Sequence, residues 1–203
     1  MNRTKEIIHE LKHHLPFTVS ATIIAIIIVV GIKLIFNGVF EENSFEIFHP
    51  LHIIASSLVS AGIFYKYNPK IILAIFVGVI SSILIGTLSD VIFPFIGAWV
   101  LNLKPGFHLP VFESPLKIIG VSILGAGIGI LTKTTKIPHF IHVGLSIFAS
   151  LFYLLAFTQE FSLLLLISSI FVVTLSVLIP CCVSDIIFPF FLLGKKIKDC
   201  PCP

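Results

Sequence analysis

The stretch SDVIFPF at Ser89–Phe95 returns as SDIIFPF at Ser184–Phe190, with six of seven letters identical and a shift of 95 positions. A hydrophobic chain of 203 residues rarely repeats by accident a string that holds both Asp and Pro. The region before it repeats as well. His49, His52, Ser56 and Ser60 recur as His139, His142, Ser146 and Ser150, all shifted by 90. The chain therefore reads as two copies of one module, repeat 1 over about residues 14–101 and repeat 2 over about residues 108–193. What the copies share, beyond apolar filling, is His, Asp and Ser.

The filling sets the class. Hydrophobic residues make up 57% of the chain and charged residues 11%, against about 25% charged in soluble domains. A spanning helix needs roughly 20 mostly apolar residues. Six runs approach or exceed that length: Phe17–Phe36, His49–Tyr65, Ile71–Leu101, Leu116–Leu131, Pro138–Phe157 and Phe161–Leu193. They are two to three times as long as ordinary strands. The expected fold is an all-α integral membrane protein, residues 1–203 forming a single membrane domain of six transmembrane helices. The first run exceeds the 7–15 residue core of a signal peptide and lacks a small-x-small cleavage site, so it reads as a helix.

Charge placement orients the helices. Arg3, Lys5 and Lys12 precede the first run, and Lys66 and Lys70 follow the second. Lys133 and Lys136 follow the fourth, and Lys195, Lys196 and Lys198 follow the sixth. The intervening loops carry Glu41, Glu42, Glu46, Glu113 and Glu160, with Lys104 as their clear cation. The positive-inside rule then places both termini in the cytoplasm. The basic residues are those topology requires, which leaves no support for a nucleic-acid partner. High Ile and Lys content with a single Arg suggests an AT-rich prokaryotic genome, and hence a prokaryotic cytoplasmic membrane.

Three spans per module is an odd number, so the second copy is expected upside down. Inverted repeats of this kind are a common plan of secondary transporters. On this plan His49, His52, Asp90 and His108 gather near the outer face, and His14, His139, His142 and Asp185 near the inner face. Helices 3 and 6 outrun the membrane thickness, and Pro94 and Pro189 follow the Asp in each, so a break is expected there.

Two His three residues apart share a helix face, and imidazole with carboxylate suits Zn²⁺, Mn²⁺, Fe²⁺, Co²⁺ or Ni²⁺. Asp90 and Asp185 are costly inside a bilayer and therefore functional candidates. Cys181 and Cys182 stand where repeat 1 has Gly86 and Thr87, adding soft ligands to the inner cluster only. Four cysteines on the cytoplasmic side read as thiols or ligands rather than disulfides. The tail Cys200-Pro-Cys202 reads either as a metal-handing segment or as an unstructured end. The serines following the His pairs read first as helix packing and second as a polar path. Gly125 and Gly129 fit packing against a neighbouring helix or a second copy of the chain in a homodimer.

The reading these features favour is a transporter of a divalent transition-metal cation, proton-coupled through its His and Asp, alternating between the two clusters. Its partners would be the lipid bilayer and the metal ion. The alternative is an intramembrane hydrolase with a three-His zinc site and Asp as base. Such an enzyme needs one cluster only, so duplication favours transport. A third reading gives the metal a structural or sensing role.

Overall fold

A bilayer offers no partners to backbone N–H and C=O groups, so apolar runs close their hydrogen bonds internally as helices. The computed structural model describes residues 3–36, 42–132, 136–158 and 163–193, and side chains over 15–32, 43–132, 141–158 and 163–180. Its helices are α1 (Arg3–Phe36), α2 (Glu42–Tyr67), α3 (Ile71–Thr87), α4 (Phe93–Val100), α5 (Pro110–Glu113), α6 (Pro115–Thr132), α7 (Lys136–Phe157) and α8 (Leu163–Leu193). A π-helical turn, Leu88–Ile92, joins α3 to α4. No strand occurs among the described residues.

By length and composition, five stretches among the described residues can cross a membrane: Leu15–Ile32, Asn43–Tyr67, Ile71–Val100, Pro115–Thr132 and Leu163–Pro180. Within α7, Ile141–Phe157 is a shorter apolar segment. The burial pattern agrees with lipid as solvent. Ile72, Phe76, Leu131 and Phe171 face outward, whereas Ser81, Ser82, Ser122, His52 and Asp90 are buried. The protein is a helical, multi-pass membrane protein.

Helices α2 and α7 run through the middle. α2 packs on α3, α6 and α7, and α1 packs on α8. The α2–α6 contact depends on two missing side chains. A Cβ on Gly125 would meet Ile54 O, and one on Gly129 would meet Leu58 O, both closer than atoms can stand. These glycines are thus spent on α2, and the backbones touch as small-xxx-small surfaces allow. Around α7, Val143, Ile147, Leu151 and Leu154 join Ala25, Val29, Ile85, Val91, Val173 and Val177 in the main apolar core.

The expected break near Pro94 is not found. The helix continues from Ile71 to Val100 through the π turn, in which Phe93 N–H donates to Leu88 O, five residues back. Pro94 stands at the start of α4, where its missing N–H costs little. The extra residue of the π turn takes up what would otherwise be a kink. Likewise α8 runs unbroken past Pro189 to Leu193. α4 ends at Asn102, whose φ of 56° is left-handed. There Asn102 N–H reaches Trp99 O at 3.0 Å and Leu103 N–H reaches Ala98 O at 3.0 Å. This double closure is a Schellman ending with Asn in glycine's usual place. It turns Leu103–Leu109 back over the bundle, where Gly106 N–H donates to Phe157 O at 2.7 Å and Tyr153 Oη donates to Gly106 O at 3.2 Å.

Candidate functional site: a carboxylate shared by two histidines

His49 and His52 lie on one face of α2, and the π turn presents Asp90 to them. The Nδ1 of His49 stands 2.8 Å from Asp90 Oδ2, and the Nδ1 of His52 stands 2.7 Å from the same oxygen. The other oxygen, Oδ1, accepts from Ser89 Oγ at 2.6 Å and from Ser146 Oγ of α7 at 3.1 Å. A carboxylate offers four lone-pair positions, and all four are used. With Asp90 ionised, both rings donate through Nδ1, since a carboxylate oxygen then only accepts. Ser150 Oγ adds a bond to Ser89 O at 3.0 Å and ties α7 to the π turn.

The whole arrangement is shielded from solvent and lipid. Asp90 and His52 are 0% exposed and His49 is 1% exposed. Four donors are what make such a carboxylate tolerable, because an unpaired charge in this setting would cost several kcal/mol, about 2.5–3.5 even on the insertion scale. Phe45 stacks on His49 at 5.2 Å between ring centroids. Gly86, one turn before Ser89, leaves room for α2: a Cβ there would strike Ile53 Cδ1 and come within 3.6 Å of His49 Cε1.

On the far side of His52 stands His142 of α7, its ring stacked at 4.8 Å and 16°. This corrects the expected layout, in which His52 and His142 belonged to clusters at opposite membrane faces. The physical reason is the true start of α2. The helix begins at Glu42, so His52 lies about 15 Å along it at 1.5 Å per residue, well inside the helix. Counting from the apolar run alone put it at the surface.

His108 is also placed differently from expectation. It does not join Asp90. Its Nε2 stands 3.0 Å from Glu46 Oε1 and its Nδ1 stands 2.7 Å from Glu113 Oε2. Lys117 Nζ donates to Glu46 Oε2 at 2.7 Å, so Lys117 joins Lys104 as a cation on the side where Lys104 was expected to stand out. The His108 ring stacks on Phe157 at 4.8 Å. Phe45, fully buried, lies between the two systems, edge-on to His108 at 5.7 Å.

Among the described residues no group of three His, Cys, Asp or Glu side chains is placed to hold a metal ion. The side chains of His14, His139, Cys181, Cys182 and Asp185 lie outside the described residues, as does the Cys200–Cys202 tail. Among the described residues, His52 Nε2 and Ser56 Oγ near the centre meet no hydrogen-bonding group, nor does Thr174 Oγ1 on α8. A buried polar atom left so costs about 1–3 kcal/mol. Sequence reasoning named no role for Ser89 and read Ser146 first as packing and second as part of a polar path, although Ser146 follows His142 by four residues as Ser56 follows His52. It also left Glu46 and Glu113 as loop charges. The signal for them was present in His108, whose two ring nitrogens need two partners.

Comparison of the chain with protein-family models, with curated proteins and with solved structures finds no match.

Proposed function

We propose that the protein is a membrane transporter of a divalent transition-metal cation, with His49 and His52 as ligands through Nε2 and Asp90 behind them. The observation that carries this reading is the double Nδ1 contact on Asp90 Oδ2, at 2.8 and 2.7 Å. A carboxylate that holds the Nδ1 hydrogen fixes the tautomer, turns the Nε2 lone pair away from itself and strengthens it as a donor. Metal-binding histidines are commonly supported in this way. Imidazole nitrogen favours first-row divalent ions over alkali and alkaline-earth ions. The same His and Asp supply sites for a counter-moving proton, since an imidazole changes charge near neutral pH.

The reading includes six spans in two inverted three-helix halves, with both termini cytoplasmic in a prokaryotic membrane. Support for the halves comes from equivalent residues meeting. His52 and His142 hold matching positions in the two repeats and stack on each other. Ser146 and Ser150 of the second half donate to Asp90 and Ser89 of the first. α1 packs on α8, and its counterpart α6 packs on α3. Access then alternates around one central position, in place of two end sites. The hydrolase alternative needs Asp90 as base for a bound water, and its four acceptor positions are already filled.

The test is Zn²⁺ and Co²⁺ uptake into proteoliposomes, with metal content of the purified protein measured in parallel. The expected result is saturable uptake that His52→Ala and Asp90→Asn abolish while His108→Gln retains it. Wild-type protein that keeps its fold yet neither binds nor moves these ions overturns the reading.

A further inference from the structure

Buried hydroxyls in this bundle mostly return their hydrogen to their own helix, the usual habit of Ser and Thr in helices. Thr22 Oγ1 donates to Thr18 O at 2.8 Å, Ser122 Oγ to Ile119 O at 2.8 Å, Ser168 Oγ to Leu165 O at 3.1 Å and Ser176 Oγ to Val172 O at 2.6 Å. Ser57 crosses to another helix and donates to Ser122 O at 2.6 Å. Ser56 does neither. It is 1% exposed, and its Oγ meets no hydrogen-bonding group among the described residues. One turn earlier on the same face, His52 is 0% exposed, and its Nε2 is in the same condition.

Residues four apart on a helix are neighbours, about 5–6 Å between Cβ atoms. A hydroxyl oxygen and an imidazole nitrogen so placed can reach one small ligand between them. With the Nδ1 hydrogen of His52 held by Asp90, the neutral ring offers a lone pair at Nε2 and calls for a partner that accepts one. A cation is such a partner, and the hydroxyl supplies it with a second, harder donor.

We propose that Ser56 Oγ and His52 Nε2 are two ligands of one cation position, suited to a first-row divalent ion that accepts mixed nitrogen and oxygen donors. This rests on the transport reading for the identity of the ion and adds to it a ligand residue and a place on α2. Ser56 is then a selectivity residue. Replacing its oxygen with sulfur shifts the position toward softer ions, because thiolate is the softer ligand.

The experiment uses the full chain in detergent, with the four native cysteines replaced by serine, and Co²⁺ as probe. Ser56→Cys is close to isosteric, and Ser57→Cys on the adjacent face is the control. The expected result is a near-ultraviolet sulfur-to-cobalt absorption band in Ser56→Cys, absent from the parent and from Ser57→Cys. At least tenfold tighter Co²⁺ binding accompanies it, and Ser56→Ala binds several-fold more weakly than the parent. Co²⁺ bound by the parent with no band in Ser56→Cys overturns the Ser56 ligand and leaves the transport reading standing. A band in Ser56→Cys with no Co²⁺ uptake by wild-type proteoliposomes supports the site and overturns transport. A wild-type chain that keeps its fold and binds no Co²⁺ overturns both.

Discussion

Two places in this protein set imidazole against carboxylate at nearly the same distances, and they are built for different ends. Around Asp90 the partners are His49, His52, Ser89 and Ser146, all of them buried. Around His108 they are Glu46 and Glu113, with Lys117 on Glu46, and the side chains are 18% to 48% exposed. In the first, one carboxylate serves two rings; in the second, one ring serves two carboxylates. The medium decides what the bonds are worth. An exposed pair competes with water and salt and contributes about 0.2–1 kcal/mol, whereas breaking a buried pair by removing one partner costs about 3–5 kcal/mol. The lesson is that bond length alone does not separate a structural keystone from a surface strap. Phe45, packed between His49 and His108, keeps the two environments apart.

The contrast can be broken at its strongest point first. Asp90→Ala strands two imidazole and two hydroxyl donors at once, so its loss belongs at the upper end, about 5 kcal/mol. Thermal unfolding in detergent reads this directly, and a change below 1 kcal/mol would remove the distinction between the two clusters. Phe45→Ala comes next, at about 3 kcal/mol, the lower end for a buried Phe because Tyr153 and Phe157 can close in. With the partition gone, the Asp90 cluster should gain sensitivity to salt that the wild type lacks.

Ser146→Ala removes a single donor to the carboxylate and should cost about 1.5–3 kcal/mol, as hydrogen bonds to charged groups do. A double-mutant cycle with Asp90→Asn should return a coupling of at least 0.5 kcal/mol. Additive losses would mean the two helices are not joined through this bond. The smallest effect is expected from Glu113→Gln, about 0.2–1 kcal/mol, disappearing in high salt because exposed charges are screened. A loss there as large as that of Ser146→Ala would show the His108 strap to be a second keystone.

Parts of both clusters were legible in the sequence because they rest on local rules. His49 and His52 share a face by helical spacing, and an Asp on the following apolar helix is costly enough to need them. The same reasoning failed for His108, whose partners come from α2 and α5. His108 lies beside Glu46 near the start of α2, and helix order did not say that Phe45 would fill the space before Asp90. It failed again at Pro94, since nothing in the letters distinguishes a broken helix from one that takes in an extra residue as a π turn.

The sequence by itself determined the solvent, through composition and run length, and it carries the recurrence of the SD-x-IFPF and HxxH strings. These are properties of the chain's own pattern. Only the tertiary structure decided that His52 lies against His142. Depth in a membrane depends on where each helix begins and how the helices are offset, and those are settled by packing. Gly125 and Gly129 against α2, and Gly86 beside Ile53 and His49, set those offsets by close contact. The hydrophobic pattern constrains them only to within a few turns.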